Sequence, residues 1–190
     1  MNTTPLTASE RESLLKLARR SIEAAVAGKP VSGLPPEEIT TALTEKGASF
    51  VTLTIGGNLR GCIGALEAYQ PLMNDVQEHA VAAAMEDFRF PPVSRAEVPH
   101  LEIEVSRLTP PQRLEYSQPL ELLNLLKPGI DGVVLRDGPR RATFLPQVWE
   151  KIPDAADFLS ELCAKMGARY DLWRTKKLEV FTYQVEEFHE

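Results

Sequence analysis

The 190-residue sequence is poor in the residues that usually announce a chemistry. It holds two cysteines, Cys62 and Cys163, and three histidines, His79, His100 and His189. Two distant cysteines make no disulfide framework, and without a CxxC or paired Cys/His spacing the usual zinc patterns are excluded. No apolar run reaches the roughly 18 residues that a membrane span needs. Met1 to Ser9 lack a basic stretch followed by an apolar segment, so no secretory signal is expected. Positive charge is not in surplus: the formal net charge is −6. That balance disfavours nucleic acid and membrane surfaces as partners, because affinity for phosphate comes from clustered Lys and Arg. Internal repeats, low-complexity tracts and long linkers are missing too. What remains is a cytoplasmic globular protein with no membrane partner, no metal and no cofactor expected.

Proline, by contrast, is plentiful, at 15 residues, and implies short elements with sharp connections. Ser9 and Glu12 have capping-box spacing ahead of a helical stripe of Leu14, Leu17, Ala18, Ile22 and Ala25, which Gly28 and Pro30 end. Ser49 to Ile55 alternates as a strand, and Gly56-Gly57 turns it into a return strand. Pro71 opens a helix over 72–87 with Leu72, Val76, Ala80 and Ala83 inward. Leu101 to Leu108 reads as a strand with one wet face. A short helix over 119–127, a second hairpin around Arg136 to Arg140, a helix capped by Asp154 and ended by Gly167, and a final strand over 178–188 complete the order. Two hairpins and short connections predict an α+β fold, mainly antiparallel sheet with flanking helices. Any lobes must be tight or discontinuous, so residues 1–190 read as one domain.

The densest concentration of chemistry is Leu59-Arg60-Gly61-Cys62-Ile63-Gly64. It combines a thiol, a cation that cannot be titrated away and two glycines that permit close backbone approach. Two readings compete. In one, Arg60 and Cys62 share a strand face, the guanidinium favours the thiolate, and a small anionic ligand bridges the two. In the other, Cys62 is a small buried hydrophobe and the glycines serve packing. Hairpin register discriminates between them. A two-residue loop pairs Cys62 with Val51 and Arg60 with Leu53; a three-residue loop through Asn58 pairs them with Thr52 and Thr54. The awkwardness of Arg60 against Leu53 favours the longer loop. Asp87 and Arg89 read as a helix-end ion pair, and His79 as the nearest base on the following helix. Arg136, Arg140 and Arg141 are the densest basic patch, Cys163 a structural core cysteine, and Trp149 and Trp173 packing residues.

Several segments in order resemble the AMMECR-one domain family. They are LRGCIG at 59–64, Asp87-Phe88-Arg89-Phe90-Pro91-Pro92 with Phe88 where proline is usual, Gly129 to Val133, Arg141 to Trp149, Leu162 to Gly167, and Trp173-Arg174 with the closing strand. The resemblance covers nearly the whole chain. It implies an α+β protein of two closely packed lobes, linked in the AmmeMemoRadiSam system to Memo-like and radical SAM proteins. It supplies no reaction. The expectation is a binding or accessory protein acting through Leu59, Gly61, Ile63, Gly64, Asp87 and Arg89. The competing expectation is an enzyme with Cys62 as nucleophile or redox group and Arg60 orienting an anionic substrate.

Overall fold

Helix α1 (Ala8–Val26) begins where Thr7 and Glu10 cap one another: the Thr7 side chain accepts from the Glu10 amide, and the Glu10 carboxylate accepts from the Thr7 amide. The capping box thus lies two residues ahead of the Ser9–Glu12 pair that the sequence pattern selected. The computed structural model describes residues 4–190 and divides them into two compact units. The first runs to Thr109 and includes Glu186–Glu190; the second is Pro110–Val185.

In the first unit α1 is followed by a short turn of helix, α2 (Thr41–Thr44), and the hairpin β1 (Lys46–Ile55) and β2 (Asn58–Gly64). A two-residue strand β3 (Gln70–Pro71) pairs with the start of β1 and leads into α3 (Leu72–Met85), with Pro71 as its N-cap. Strand β4 (Glu102–Leu108) lies antiparallel to β1. Val51, Leu53, Ile103 and Val105 share one sheet face and form a core with Leu14, Leu17 and Ile22 of α1 and Val76, Ala80 and Ala83 of α3. The small alanines let α3 lie close to the sheet, as their spacing predicts.

Beneath α3 sits a buried polar cluster. Asp75 is fully buried; it accepts a 2.7 Å hydrogen bond from Ser49 Oγ and faces His79 Nδ1 at 3.1 Å. His79, whose orientation the helical pattern leaves open, therefore points inward and holds α3 to β1 through Asp75.

The second unit has its own core. Strands β5 (Gln112–Arg113), β6 (Gly132–Asp137), β7 (Arg140–Phe144) and β8 (Glu179–Tyr183) form an antiparallel sheet in the order β5-β8-β6-β7. Short helices α4 (Leu122–Leu125) and α6 (Leu172–Thr175) accompany α5 (Ala155–Lys165), which Asp154 caps through the amides of Ala156 and Asp157. Trp149 stacks on Phe158 at 3.7 Å, and both belong with Trp173 and Cys163 to this core. The single closing strand expected over 178–188 is instead two: β8 here, and β9 (Val185–His189), which forms the edge of the first sheet beside β4. The fold is α+β, with helices flanking two antiparallel sheets. Among the described residues no helix is long and apolar enough to cross a membrane.

Candidate functional site

The β1–β2 hairpin turns through Gly56 and Gly57, with φ of 55° and 76°. Both values lie in the left-handed region that a two-residue type I′ loop requires at each central position. Ile55 pairs with Asn58 and Thr54 with Leu59, then the register shifts, so that Leu53 faces Gly61 and Thr52 faces Cys62. The pairing of Cys62 with Thr52 is that of the longer-loop register, but the loop is the shorter one. A β-bulge at Arg60 supplies the extra residue. It takes Arg60 out of the ladder and away from fully buried Leu53, which would have been its partner without the bulge.

The two glycines of the segment are explained by close contact. A Cβ on Gly61 would lie 2.1 Å from the carbonyl oxygen of Ala83 in α3, and one on Gly64 would lie 2.4 Å from the Phe50 ring and from the Ser49 carbonyl. Gly61 therefore faces α3, and because side chains alternate along a strand, Cys62 faces the opposite side of the sheet. There its sulfur accepts a 3.4 Å hydrogen bond from Thr52 Oγ1.

Strand β2 is the outer edge of its sheet, so its outward backbone groups need partners. For Cys62 two side chains supply them. Asp87 Oδ2 accepts the Cys62 amide at 2.9 Å, and Arg89 Nη2 donates to the Cys62 carbonyl at 3.2 Å. Asp87 and Arg89 in turn join through Nε to Oδ1 at 2.9 Å and Nη2 to Oδ2 at 2.6 Å. The pair does for one residue what a neighbouring strand would do for several. It is far from an exposed surface pair: Asp87 is 4% exposed. The Arg89 guanidinium holds the Asp87 carboxyl well below the usual carboxylate range, with the Cys62 and Arg89 amides adding to the effect against burial. Arg89 is itself pushed up, first by Asp87 and further by the Cys62 thiol. The cation beside Cys62 is thus Arg89.

Arg60 is committed elsewhere. Its Nε donates to Glu97 Oε1 at 2.7 Å, Nη2 donates to the Pro91 carbonyl at 2.9 Å, and the guanidinium lies 5.8 Å from the Phe90 ring centre. Arg89 lies 5.6 Å from the same ring. Glu97 is drawn down to about 2 by Arg60 first and then by the amide and hydroxyl of Ser94. Phe88 occupies the second position of a turn closed by the Phe90 amide on the Asp87 carbonyl, where proline is favoured but not required. The turn forms without it.

The structure thus gathers Leu59–Gly64 and Asp87–Pro91 into one assembly, while sending the Arg60 and Cys62 side chains to different partners. Glu97 and Thr52 carry no signal of their chemistry in the sequence. Ser94 and Glu97 have capping-box spacing, which marks a local turn but not the ion pair with Arg60. His100 and His189 are exposed. At the basic hairpin, Asp137 is flanked by Arg140 and Lys176, and Arg136 lies over Phe181 at 5.1 Å. Among the described residues no group of three or more His, Cys, Asp and Glu side chains is placed to hold a metal.

A family model described as AMMECR1 matches residues 15–188. The chain belongs to the AMMECR1 family. A protein of Methanothermobacter thermautotrophicus is 37% identical over 100% of this chain and 99% of its own length. One of Nanoarchaeum equitans is 38% identical over 94% of this chain and 99% of its own. The crystal structure of the uncharacterized protein PH0010 from Pyrococcus horikoshii matches with a TM-score of 0.83 at 36% identity, over 97% of this chain and 93% of that one. The family match spans both compact units.

Two tests follow from this geometry. Gly61→Ala should cost about 3 kcal/mol, because the new methyl meets backbone rather than a side chain that can move; denaturant unfolding with a loss under about 0.5 kcal/mol would contradict the packing account. Asp87 and Glu97 are both held below their unfolded values of 3.8 and 4.5. Their stabilisation is complete above those values and disappears as pH falls through the folded ones. The melting temperature should therefore fall from pH 5 to pH 2, less steeply in Glu97→Gln; parallel curves would contradict the assignment.

Proposed function

We propose that this chain is a protein-binding accessory subunit, whose contact surface is the outer edge of β2 and the turn that clamps it. The observation that carries this reading is Phe88. It is 94% exposed, yet it sits between Asp87 and Arg89, the two residues that fix the edge strand. A rigid turn presenting a bare aromatic ring has the form of an interface anchor, since aromatic side chains dominate binding energy at interfaces. Leu59 of the clamped edge strand is 44% exposed and adds apolar area to that edge. Memo-like and radical SAM proteins, the partners expected from the family resemblance, are the first to test.

A second reading has one observation in its favour. Cys62 is half-buried, with the Thr52 hydroxyl on its sulfur and the Arg89 guanidinium nearby. In an enzyme, Cys62 would be the nucleophile or redox group, and Arg89 rather than Arg60 would meet an anionic substrate. Arg60 suits that task poorly, because Glu97 already neutralises its charge.

Phe88→Ser should leave stability within about 0.5 kcal/mol of the parent, since the ring is almost wholly solvent-exposed. It should weaken copurification with a Memo-like or radical SAM protein, and lower the measured affinity about thirtyfold. Unchanged affinity for both would contradict the binding reading. Thiol labelling of the folded chain discriminates the second: a Cys62 inert until denaturation removes the nucleophile.

A further inference from the structure

The register of β1 and β2 shows which backbone groups of β2 a further strand would have to use. Opposed residues of an antiparallel pair alternate between those that bond one another and those whose backbone groups point away. The Cys62 amide and carbonyl bond to Asp87 and Arg89, so the Thr52–Cys62 pair is of the second kind. Two residues on, Gly64 opposite Phe50 has the same outward setting, and across the bulge so has Leu59 opposite Thr54. A strand added to β2 would therefore pair with Leu59, Cys62 and Gly64, with Cys62 in the middle.

The segment itself offers little resistance to such pairing. Residues 59–64 contain no proline, and their one charge, on Arg60, is neutralised by Glu97. Edge strands of that kind are templates for pairing with another chain. A second copy presents the same edge, and about a two-fold axis at Cys62 its N–H and C=O would bond their own counterparts. The Asp87–Arg89 pair stands in the way of that contact. Asp87 Oδ2, 2.9 Å from the Cys62 amide, fills the place of a partner strand's carbonyl oxygen, and Arg89 Nη2 fills that of its amide nitrogen. The bulge at Arg60 adds to the obstruction, because bulges twist an edge away from a flat partner.

We infer that the Asp87–Arg89 pair is an edge guard, which by capping Cys62 keeps β2 from adding to the same strand of a second copy of this chain. The guard leaves the side chains of Phe88 and Leu59, and not the strand's backbone, for a partner to read at that edge. It does not depend on the binding reading, since it concerns the backbone alone. Removing it leaves the turn tied to β2 through the Arg60 bond to the Pro91 carbonyl, a contact that an incoming strand must displace.

Sedimentation velocity over a concentration series, with amide exchange on the same samples, tests the guard. Asp87→Ala should self-associate about tenfold or more tightly than the parent chain. Its Cys62 amide should lose protection when dilute and regain it on association, together with the amides of Leu59 and Gly64. Leu59→Pro in the same background removes an outward N–H without breaking a bond to β1, and should restore the parent's association. Association of Asp87→Ala no tighter than that of the parent would overturn the inference. So would association that leaves those amides unprotected or survives Leu59→Pro, and so would a parent chain that already associates through them. Protected Val51 and Val105 amides report an intact sheet. Where Asp87→Ala loses them, Arg89→Ala, which uncovers the Cys62 carbonyl, is read in its place. Loss in both variants would overturn the inference, because the pair would then be a requirement of folding.

Discussion

The hydrogen bond from the Cys62 amide to the Asp87 carboxylate is the contact on which the first unit's outer edge depends. A lone carboxylate there would be costly, because Asp87 is almost wholly buried. Arg89 offsets that cost and at the same time reaches the Cys62 carbonyl, so one ion pair satisfies both outward groups of an edge residue. The bulge at Arg60 belongs to the same solution. By taking Arg60 out of the ladder it places Gly61 against α3, frees the guanidinium for Glu97 and Pro91, and turns Cys62 toward the open face. Two of the segments that carry the family resemblance, 59–64 and 87–92, are in contact for this reason.

Much of the architecture was legible in the residues. The α1 stripe, the alternation of β1 and β4, the alanines of α3, the Asp154 cap and the positive-φ glycines at turns are local signals, and local physics realises them. Features that depend on distant partners were not legible. Nothing local to residues 56–62 chooses between a longer loop and a bulge; the choice is made by buried Leu53, which excludes Arg60 as its neighbour. The inward turn of His79 needs Asp75 and Ser49 together. The split between β8 and β9 is invisible in an unbroken run of strand-forming residues, because the sheet joined by each half is set elsewhere in the chain.

The candidate site changes character in the same way. Thiol, cation and glycines within six residues suggest a reaction centre when read in line. In three dimensions the glycines are packing positions, Arg60 is a structural cation, and the backbone of Cys62 is the clamped group. What the clamp leaves to solvent is Phe88, Leu59 and part of the half-buried Cys62. A surface held this firmly is suited to recognition, since little ordering is lost when a partner docks on it.

Amide hydrogen exchange at Cys62 is the most direct measure of the clamp. In the parent chain this edge amide should be protected to a degree comparable with the interior strand β1. In Asp87→Ala its protection should drop about tenfold or more, the scale of a lost charge-assisted hydrogen bond, while Val51 and Val105 stay protected. Equal protection of Cys62 in the two chains would contradict the account.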